Sequence, residues 1–392
     1  MSLRSLGRFL VACLAVGMCV VLGACGSSGE SGTTSSGTSA GADTSAGADT
    51  TASGGSASTT SDEGKGVTIG LVSALGCTNS VVCTTQNAFK AQAEAMGAKA
   101  VVLEADVKDL INNQISNMDQ LRAQKVDAIA VWPQDQKALT PAIKRAQAEG
   151  IPVFAHELYD PKGLGIKTVV IEGRSLKAKQ AAEQVCAHEP DGGGSVLYGD
   201  FGFPNPGLQL LRADWERYLK ECEKDPIKVV EYLNKTDDVG GARPTAEAAL
   251  QKTSDAFAVD AYNDPTALGA SLAADQLGKR DDLFIMGYNL GQDGVDALKR
   301  GQIDMSWDYR PGVVGQTLAK TMIDYASGND KSPAPVIMVW PKCYTPDTID
   351  QLPSADQQIA DIKAGKDLAA ADPKLIEDAD TIIQPGDDLP GC

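Results

Sequence analysis

From residue 67 onward the chain alternates short apolar runs with longer stretches whose apolar residues recur at spacings of three and four. The runs at 67–72, 100–103, 128–131, 152–154 and 167–171 predict strands, and 80–96, 108–124 and 136–149 predict the helices between them. The alternation continues with helices at 174–187, 207–222, 240–252, 264–277, 292–300 and 312–327, and strands at 195–199, 227–232, 256–260, 283–288 and 303–309. Strand–helix units joined by right-handed crossovers predict an α/β protein whose parallel sheets carry helices on both faces. The run Asp127-Ala128-Ile129-Ala130-Val131 is echoed by Asp255-Ala256-Phe257-Ala258-Val259, each followed by a polar turn and a helix ending at Gly150 or Gly278. Two similar Rossmann-like lobes account for the echo and for the length, although any pair of βα units shares some of this look.

The first 66 residues do not follow the pattern. Arg4 and Arg8 precede an apolar stretch, 9–22, that is short and rich in small residues. That is the layout of an export signal rather than of a membrane span. It ends in Leu22-Gly23-Ala24-Cys25, which resembles a bacterial lipobox and implies lipidation of Cys25. The alternative is an ordinary secretory signal with a chance cysteine. Residues 26–66 are Gly, Ser, Thr and Ala with a few acids, a composition that predicts a flexible leash of roughly 35–40 Å reach. Within it Gly37-Thr38-Ser39-Ala40-Gly41 matches a serine-hydrolase pattern, but the strand–turn–helix setting that gives the pattern meaning is missing.

Charge narrows the function. Fifty-two acidic against 35 basic residues leave a formal charge of −17 in 392 residues. Such a surface repels phosphate backbones, so nucleic acid is not an expected partner. With only His156 and His188 in the chain, a histidine-rich zinc site is excluded, and no residue pattern calls for a cofactor. Cys13 and Cys19 leave with the signal, which leaves Cys77, Cys83, Cys186, Cys222, Cys343 and Cys392. An even number in an exported chain predicts three disulfides, with 15 connectivities open; metal binding is the weaker alternative, since no C-x-x-C occurs. Nearest-neighbour pairing is expected: Cys77–Cys83, Cys186–Cys222 and Cys343–Cys392. Cys186 and Cys222 each end a helix antiparallel to the sheet and so meet at the edge away from the strand ends. The last pair would tie down the acidic tail, 339–392, expected to be irregular from Pro341 onward.

Ligands of parallel α/β sheets bind beyond the carboxyl ends of the strands. Those ends carry Cys77, Asn79 and Cys83; Trp132; His156 and Glu157; Phe201; Tyr262, Asn263 and Asp264; Asn289; and Tyr309. Aromatic rings beside amides and carboxylates suit a polar, polyhydroxylated ligand held by stacking and oriented hydrogen bonds. Asp264 is expected to cap the helix opened by Pro265, leaving Asn263 for the cleft. Trp215, mid-helix, reads as core, and Trp340 as a residue packing the tail.

Taken together, Val126–Pro133, Gly150-Ile151-Pro152-Val153, Asn263 to Ala270 and Gly287-Tyr288-Asn289 resemble the type I periplasmic binding proteins, most of all their ribose- and galactose-type sugar binders. The resemblance runs from about Val67 to Val339. It implies two lobes, 66–172 plus 310–338 and 173–309, joined by three crossings near Glu172, Tyr309 and Val339. A ligand would bridge the open lobes and stabilise the closed form, which a permease recognises. It further implies cleft roles for Asn263, Arg174, Gln209 and Tyr309, with Glu157-Leu158 where sugar binders commonly hold an Asp-Arg pair. Asn289 replaces the usual aspartate, and the Cys77–Cys83 loop replaces an aromatic pair.

The function implied is a monomeric solute-binding lipoprotein of an ABC importer, not an enzyme, anchored outside the cell membrane. A sensor that presents its closed form to a membrane receptor would have the same sequence. An extracytoplasmic hydrolase would need a carboxylate pair across the cleft, and no nucleophile–base–orienter trio stands out.

Overall fold

The computed structural model describes residues 61–77, 79–158, 161–202, 205–368, 373–376 and 392. The export signal, Cys25 and the leash as far as residue 60 lie outside the described residues. Residues 61–66, expected in the leash, instead pack on the first lobe, where the Ser61 and Gly64 amides donate to the Ala95 and Met96 carbonyls at 3.0 and 2.7 Å. The chain runs β1 (Thr68–Val72), α1 (Ser80–Ala95), β2 (Lys99–Leu103), α2 (Leu110–Ala123), β3 (Ala128–Val131), α3 (Gln136–Ala148), β4 (Val153–His156) and β5 (Val169–Glu172). Next come α4 (Arg174–Ala187), β6 (Gly194–Phe201), α5 (Pro206–Cys222), β7 (Ile227–Asn234), α6 (Val239–Lys252), β8 (Ala256–Ala261) and α7 (Asp264–Leu277). The rest is β9 (Phe284–Met286), α8 (Gln292–Lys299), β10 (Ser306–Asp308), α9 (Pro311–Ser327), β11 (Val336–Val339), β12 (Lys342–Tyr344), α10 (Ala355–Lys363) and β13 (Pro373–Ile376).

Two sheets carry two lobes. The first has the order β13-β11-β5-β4-β3-β1-β2 and the second β7-β6-β8-β9. All pairings within them are parallel except β11–β13. Both faces of each sheet are covered, which is why a strand such as β3, Ala-Ile-Ala-Val, is buried at every residue. On one face of the first sheet Phe89 of α1 meets Val314, Leu318 and Met322 of α9; on the other Met118 and Leu121 of α2 meet Leu139 and Ile143 of α3. In the second lobe α6 and α7 cover one face, while α4 and α5, with the core residue Trp215, cover the other.

Local chemistry sets the strand ends. Asn79, Asp135, Asn205, Asp238 and Asn263 each cap the helix that follows them with a side-chain oxygen. Gly278 closes α7 in the left-handed region at φ 66°. The cap on α7 corrects the sequence expectation: Asn263, not Asp264, accepts from the Thr266 amide, at 3.0 Å. Asp264 is already inside the helix and buried, where Ser306 Oγ donates to it at 2.5 Å and the Gly291 amide at 3.2 Å.

The described part of the tail, expected to be irregular from Pro341 onward, forms short regular elements. After β11 the chain enters β12, which pairs antiparallel with β10, so Trp307 stands opposite Cys343. A short 3-10 turn, Ile349–Gln351, is followed by α10, whose Ile362 is buried against Ala88 and Ala91 of α1. Pattern reading missed these elements because each is short, three to nine residues, and borrows its buried face from another part of the chain. The sulfurs of Cys77 and Cys83, Cys186 and Cys222, and Cys343 and Cys392 are bonded, with Cα separations of 4.3, 6.0 and 5.7 Å.

Candidate functional site

The strand ends hold two clusters, one where the first lobe's strand ends meet the connections to the second and one in the second lobe. The first is centred on Glu157, which follows β4 with a left-handed backbone at φ 51°. Three donors converge on its carboxylate. Trp132 Nε1 donates to Oε2 at 3.0 Å, while Arg174 Nη2 and the Tyr309 hydroxyl donate to Oε1 at 2.7 and 2.8 Å. Arg174 also pairs through Nε with Glu172, at the end of β5. The Trp132 and Tyr309 rings stack 6.2 Å apart at 14°, and His156 stands edge-on to Trp132 at 4.4 Å. The cluster thus draws on β3, β4, β5 and the segment after β10.

Its charges are unequal. Burial pushes the Glu157 carboxyl up, but the Arg174 guanidinium, His156 and the hydrogen bonds outweigh it and bring the group down to about 2. Burial dominates at Glu172, which is held well above the usual carboxylate range. Arg174 therefore faces two carboxyls of unequal acidity, Glu157 the stronger acid. His156 is fully buried, and desolvation lowers its pKa. Its Nδ1 faces the Val170 carbonyl at 2.7 Å and so carries the hydrogen; Nε2 meets the Tyr309 hydroxyl. In the neutral ring Nε2 is an acceptor, so the single Tyr309 hydrogen serves either His156 or Glu157.

The second cluster is centred on Asp237, in the loop between β7 and α6, again with a left-handed backbone at φ 59°. Asn234 builds that loop. Its Oδ1 accepts from the amides of Thr236 and Asp237 at 3.3 and 3.1 Å, and its Nδ2 donates to Thr266 Oγ1 at 2.8 Å. Asp237 Oδ1 then accepts from the Tyr262 hydroxyl at 2.5 Å and from Asn263 Nδ2 at 2.7 Å. Burial raises its pKa, against the hydrogen bonds from Tyr262 and Asn263, which lower it. Phe201 lies beside Tyr262, ring centroids 5.5 Å apart. The second lobe thereby offers an oriented acidic acceptor next to an aromatic pair.

Of the residues expected at the site, Trp132, Glu157, Arg174 and Tyr309 meet in the first cluster, and Phe201 and Asn263 belong to the second. Asn79 spends its amide oxygen on the Val82 amide, at 3.1 Å, capping α1. Asn289, at φ 87°, lies on the loop facing β10, with an isolated bridge to Asp308. Gln209 sits exposed on α5 and is part of neither cluster. Glu172, His156 and Asp237 complete the clusters. Asp237 was findable, because it follows the one second-lobe strand whose carboxyl end was not read. Beneath the second cluster's strand ends Lys177 and Asp260 form a fully buried pair at 2.6 Å, with Lys177 also 5.5 Å from the Trp307 ring. Among the described residues no group of three His, Cys, Asp or Glu side chains is placed to hold a metal ion.

The chain and its fold have counterparts among known proteins. A family profile described as a periplasmic binding protein domain matches residues 71–330. The ribose import binding protein RbsB of Bacillus subtilis is 25% identical over 271 residues, covering 69% of this chain and 85% of that protein. The D-apiose import binding protein of Paraburkholderia graminis is 28% identical over 222 residues, 55% of this chain and 69% of the relative. Among solved structures, the periplasmic ribose ABC transporter protein of Conexibacter woesei superposes with a TM-score of 0.67 at 20% identity, covering 76% of this chain and 98% of that one. A solute-binding protein of Actinobacillus succinogenes with bound D-allose gives 0.64 at 21% identity, over 73% and 100% of the two chains.

Proposed function

The chain belongs to the periplasmic binding protein domain family, and we propose that it captures a sugar or sugar-like molecule between its lobes for an ABC importer. The observation that carries the reading is the pairing of two prepared polar clusters, each at strand carboxyl ends and each beside aromatic rings. Glu157 of the first lobe with Arg174 at the start of α4, and Asp237 with Asn263 in the second lobe, present fixed acceptors and donors to hydroxyl groups. The Trp132–Tyr309 and Phe201–Tyr262 pairs offer flat apolar surfaces to the carbon skeleton. The ligand needs only to bind the closed arrangement better than the open one to drive closure.

In this proposal the protein works as a monomeric binding protein without catalysis or cofactor. Residues 1–24 direct export, Cys25 takes the lipid, and 26–60 give the globule its reach from the membrane. The closed form is what the permease subunits recognise. Gln209 remains a proposed ligand contact on the resemblance, Asn79 and Asn289 remain so on their places after strand ends, and the three disulfides brace the globule outside the cell.

A thermal-shift screen of the exported chain against D-ribose, D-xylose, D-allose, D-glucose, myo-inositol, nucleosides and amino acids tests the reading. Ligand at a hundred times its dissociation constant adds about 2.7 kcal/mol of stability. A sugar or polyol that stabilises the protein and is recovered unchanged supports it. A response confined to nucleosides or amino acids, or chemical turnover of the sugar, overturns it.

A further inference from the structure

Three connections between the lobes are expected from the resemblance; this chain makes another. It passes from β5 to α4, from β10 to α9 and from β11 to β12. After β12 it is anchored in the second lobe. Tyr344 and Ile349, 3% and 2% exposed, pack in the same core as Leu298 and Ile303, with Leu352 at its margin. Lys299 and Asp350 pair above them at 2.9 Å.

The chain then returns to the first lobe. Ile362 packs on α1, and Gln316 of α9 holds the segment after α10 by donating to the Lys366 carbonyl at 2.9 Å and accepting from the Leu368 amide at 2.7 Å. The same Gln316 donates to Gln92 of α1 at 2.9 Å, so this anchor is wired into the first-lobe core. Between Leu352, at the edge of the second-lobe anchor, and the first residue of α10, the helix that carries Ile362, lie only Pro353 and Ser354. The backbone on both sides of Pro353 is extended, with Leu352 at φ −71°, ψ 119° and Ser354 at φ −60°, ψ 157°. Gln358 Nε2 donates to the Pro353 carbonyl at 3.1 Å, and Ser354 Oγ accepts from the Gln357 amide at 3.2 Å.

A two-residue connector that is already extended has almost no slack, because each residue spans at most about 3.3–3.6 Å. If the lobes part at this point by more than a few ångströms, one anchor must come loose. The connector borders a cavity of ≈ 340 Å³ whose other walls include Ser80 of the first lobe and Gly291 and Val295 of the second. Ser80 and Gly291 face each other across the lobe seam, where a Cβ built on Gly291 would stand 3.0 Å from Ser80 Oγ. The Cys343–Cys392 bond returns the chain end to β12 after β13 has joined the first sheet, closing a covalent loop that visits both lobes. The segment from β12 to Leu368 lies beyond residue 330, where the family match ends.

We propose that residues 342–368 form an interlobe strap that limits how far the two lobes can open. The strap keeps the ligand-free protein near its closed arrangement. That raises the fraction competent to hold ligand and slows release. The inference rests on lobes that open, as the function above requires, but not on the identity of the ligand.

The test adds slack without removing either anchor: eight Gly and Ser residues inserted between Pro353 and Ser354 of the exported chain. Small-angle scattering of the ligand-free variant should shift to a larger radius of gyration than the wild type. Amides at Ser80 and Gly291 should exchange severalfold faster, while α10 and β12 keep their protection. Ile362→Ala, which loosens the first-lobe anchor with the connector intact, should move the same two readouts in the same direction. Unchanged scattering and unchanged seam exchange in both variants overturn the strap. A wild type that no sugar stabilises counts against the proposed function instead, and it does so in a separate experiment.

Discussion

The Gly173 backbone lies directly against the indole of Trp340: a Cβ added to Gly173 would stand 2.1 Å from Cε3 and 2.4 Å from Cζ3. The two residues sit on neighbouring interlobe connections, which are tied together by the Gly173 amide donating to the Val339 carbonyl at 2.8 Å. Trp340 is therefore more than a packing residue of the tail. It fills the space that a side chain at the first connection would need.

Gly173→Ala should cost about 1–3 kcal/mol, the usual range for forcing extra volume into a packed site. Trp340→Ala removes the ring and with it the clash. The double variant should then be destabilised by less than the sum of the two single changes, with a coupling of about 1 kcal/mol or more. Denaturant midpoints of the four proteins measure this. Strict additivity would mean that the ring moves aside freely.

Arg174 is the cation shared by Glu157 and Glu172. Arg174→Met leaves two largely buried carboxyls without it and should cost about 3–5 kcal/mol, whereas Glu157→Gln, which leaves a neutral acceptor, should cost less. The pH dependence separates this from lost packing. Glu157, brought down to about 2, contributes stability that is present above its unfolded pKa and is lost as pH falls toward 2. Without Arg174 that acid-side loss should shrink. Unfolding free energies of wild type and Arg174→Met between pH 3 and 7, compared point by point, check it.

The legible part of the structure is the part with a period. Strands such as β3 and helices such as α1 were readable because their apolar residues recur at the spacing of the element. Trp132, Glu157, Arg174 and Tyr309 were locatable because each ends or follows a strand, yet nothing in the sequence says that they converge on one carboxylate. That convergence depends on β3, β4 and β5 lying side by side and on the left-handed turn at Glu157. Strand β9 stops at Met286, short of the expected residue 288, because the backbone at Gly287 closes against Asp264. The tail elements were illegible for a different reason: each is short, and α10 buries one residue of its nine, Ile362, against a helix far away in sequence, α1.

Asp264 and Asp308 predict an unusual acid-side gain in stability. Burial drives Asp264 up to about 7, against hydrogen bonds from Ser306 and from the Gly291 and Leu290 amides, and drives Asp308 up to about 6. Both folded values exceed the unfolded one of about 4. Each group therefore contributes stability that is complete below pH 4 and is lost as pH rises through its folded value. For Asp264 alone the swing is on the order of 4 kcal/mol at about 1.4 kcal/mol per pH unit. The melting temperature should rise as pH falls from 8 to 5, and Asp264→Asn should flatten that slope. A melting temperature that falls steadily from pH 8 to 5 would show that both acids are ionised at little cost.

Asp237 yields the sharpest prediction for ligand binding. One carboxylate oxygen, Oδ1, accepts from both Tyr262 and Asn263, so the group is oriented before any ligand arrives. Asp237→Asn preserves the shape, and an amide oxygen can still take the two bonds. It replaces the other oxygen, Oδ2, by an amide NH2 that cannot accept. Hydrogen bonds to a charged group are worth about 1.5–3 kcal/mol, so affinity for a sugar that stabilises the wild type should drop about 10- to 150-fold. Asp237→Ala should lose at least as much, and Tyr262→Phe, which only loosens the carboxylate, should lose less. Isothermal titration of the three variants with the sugar found in the screen gives the order directly. Wild-type affinity in Asp237→Asn would remove Asp237 from the site and leave the second lobe's recognition to Asn263 and the Phe201–Tyr262 pair.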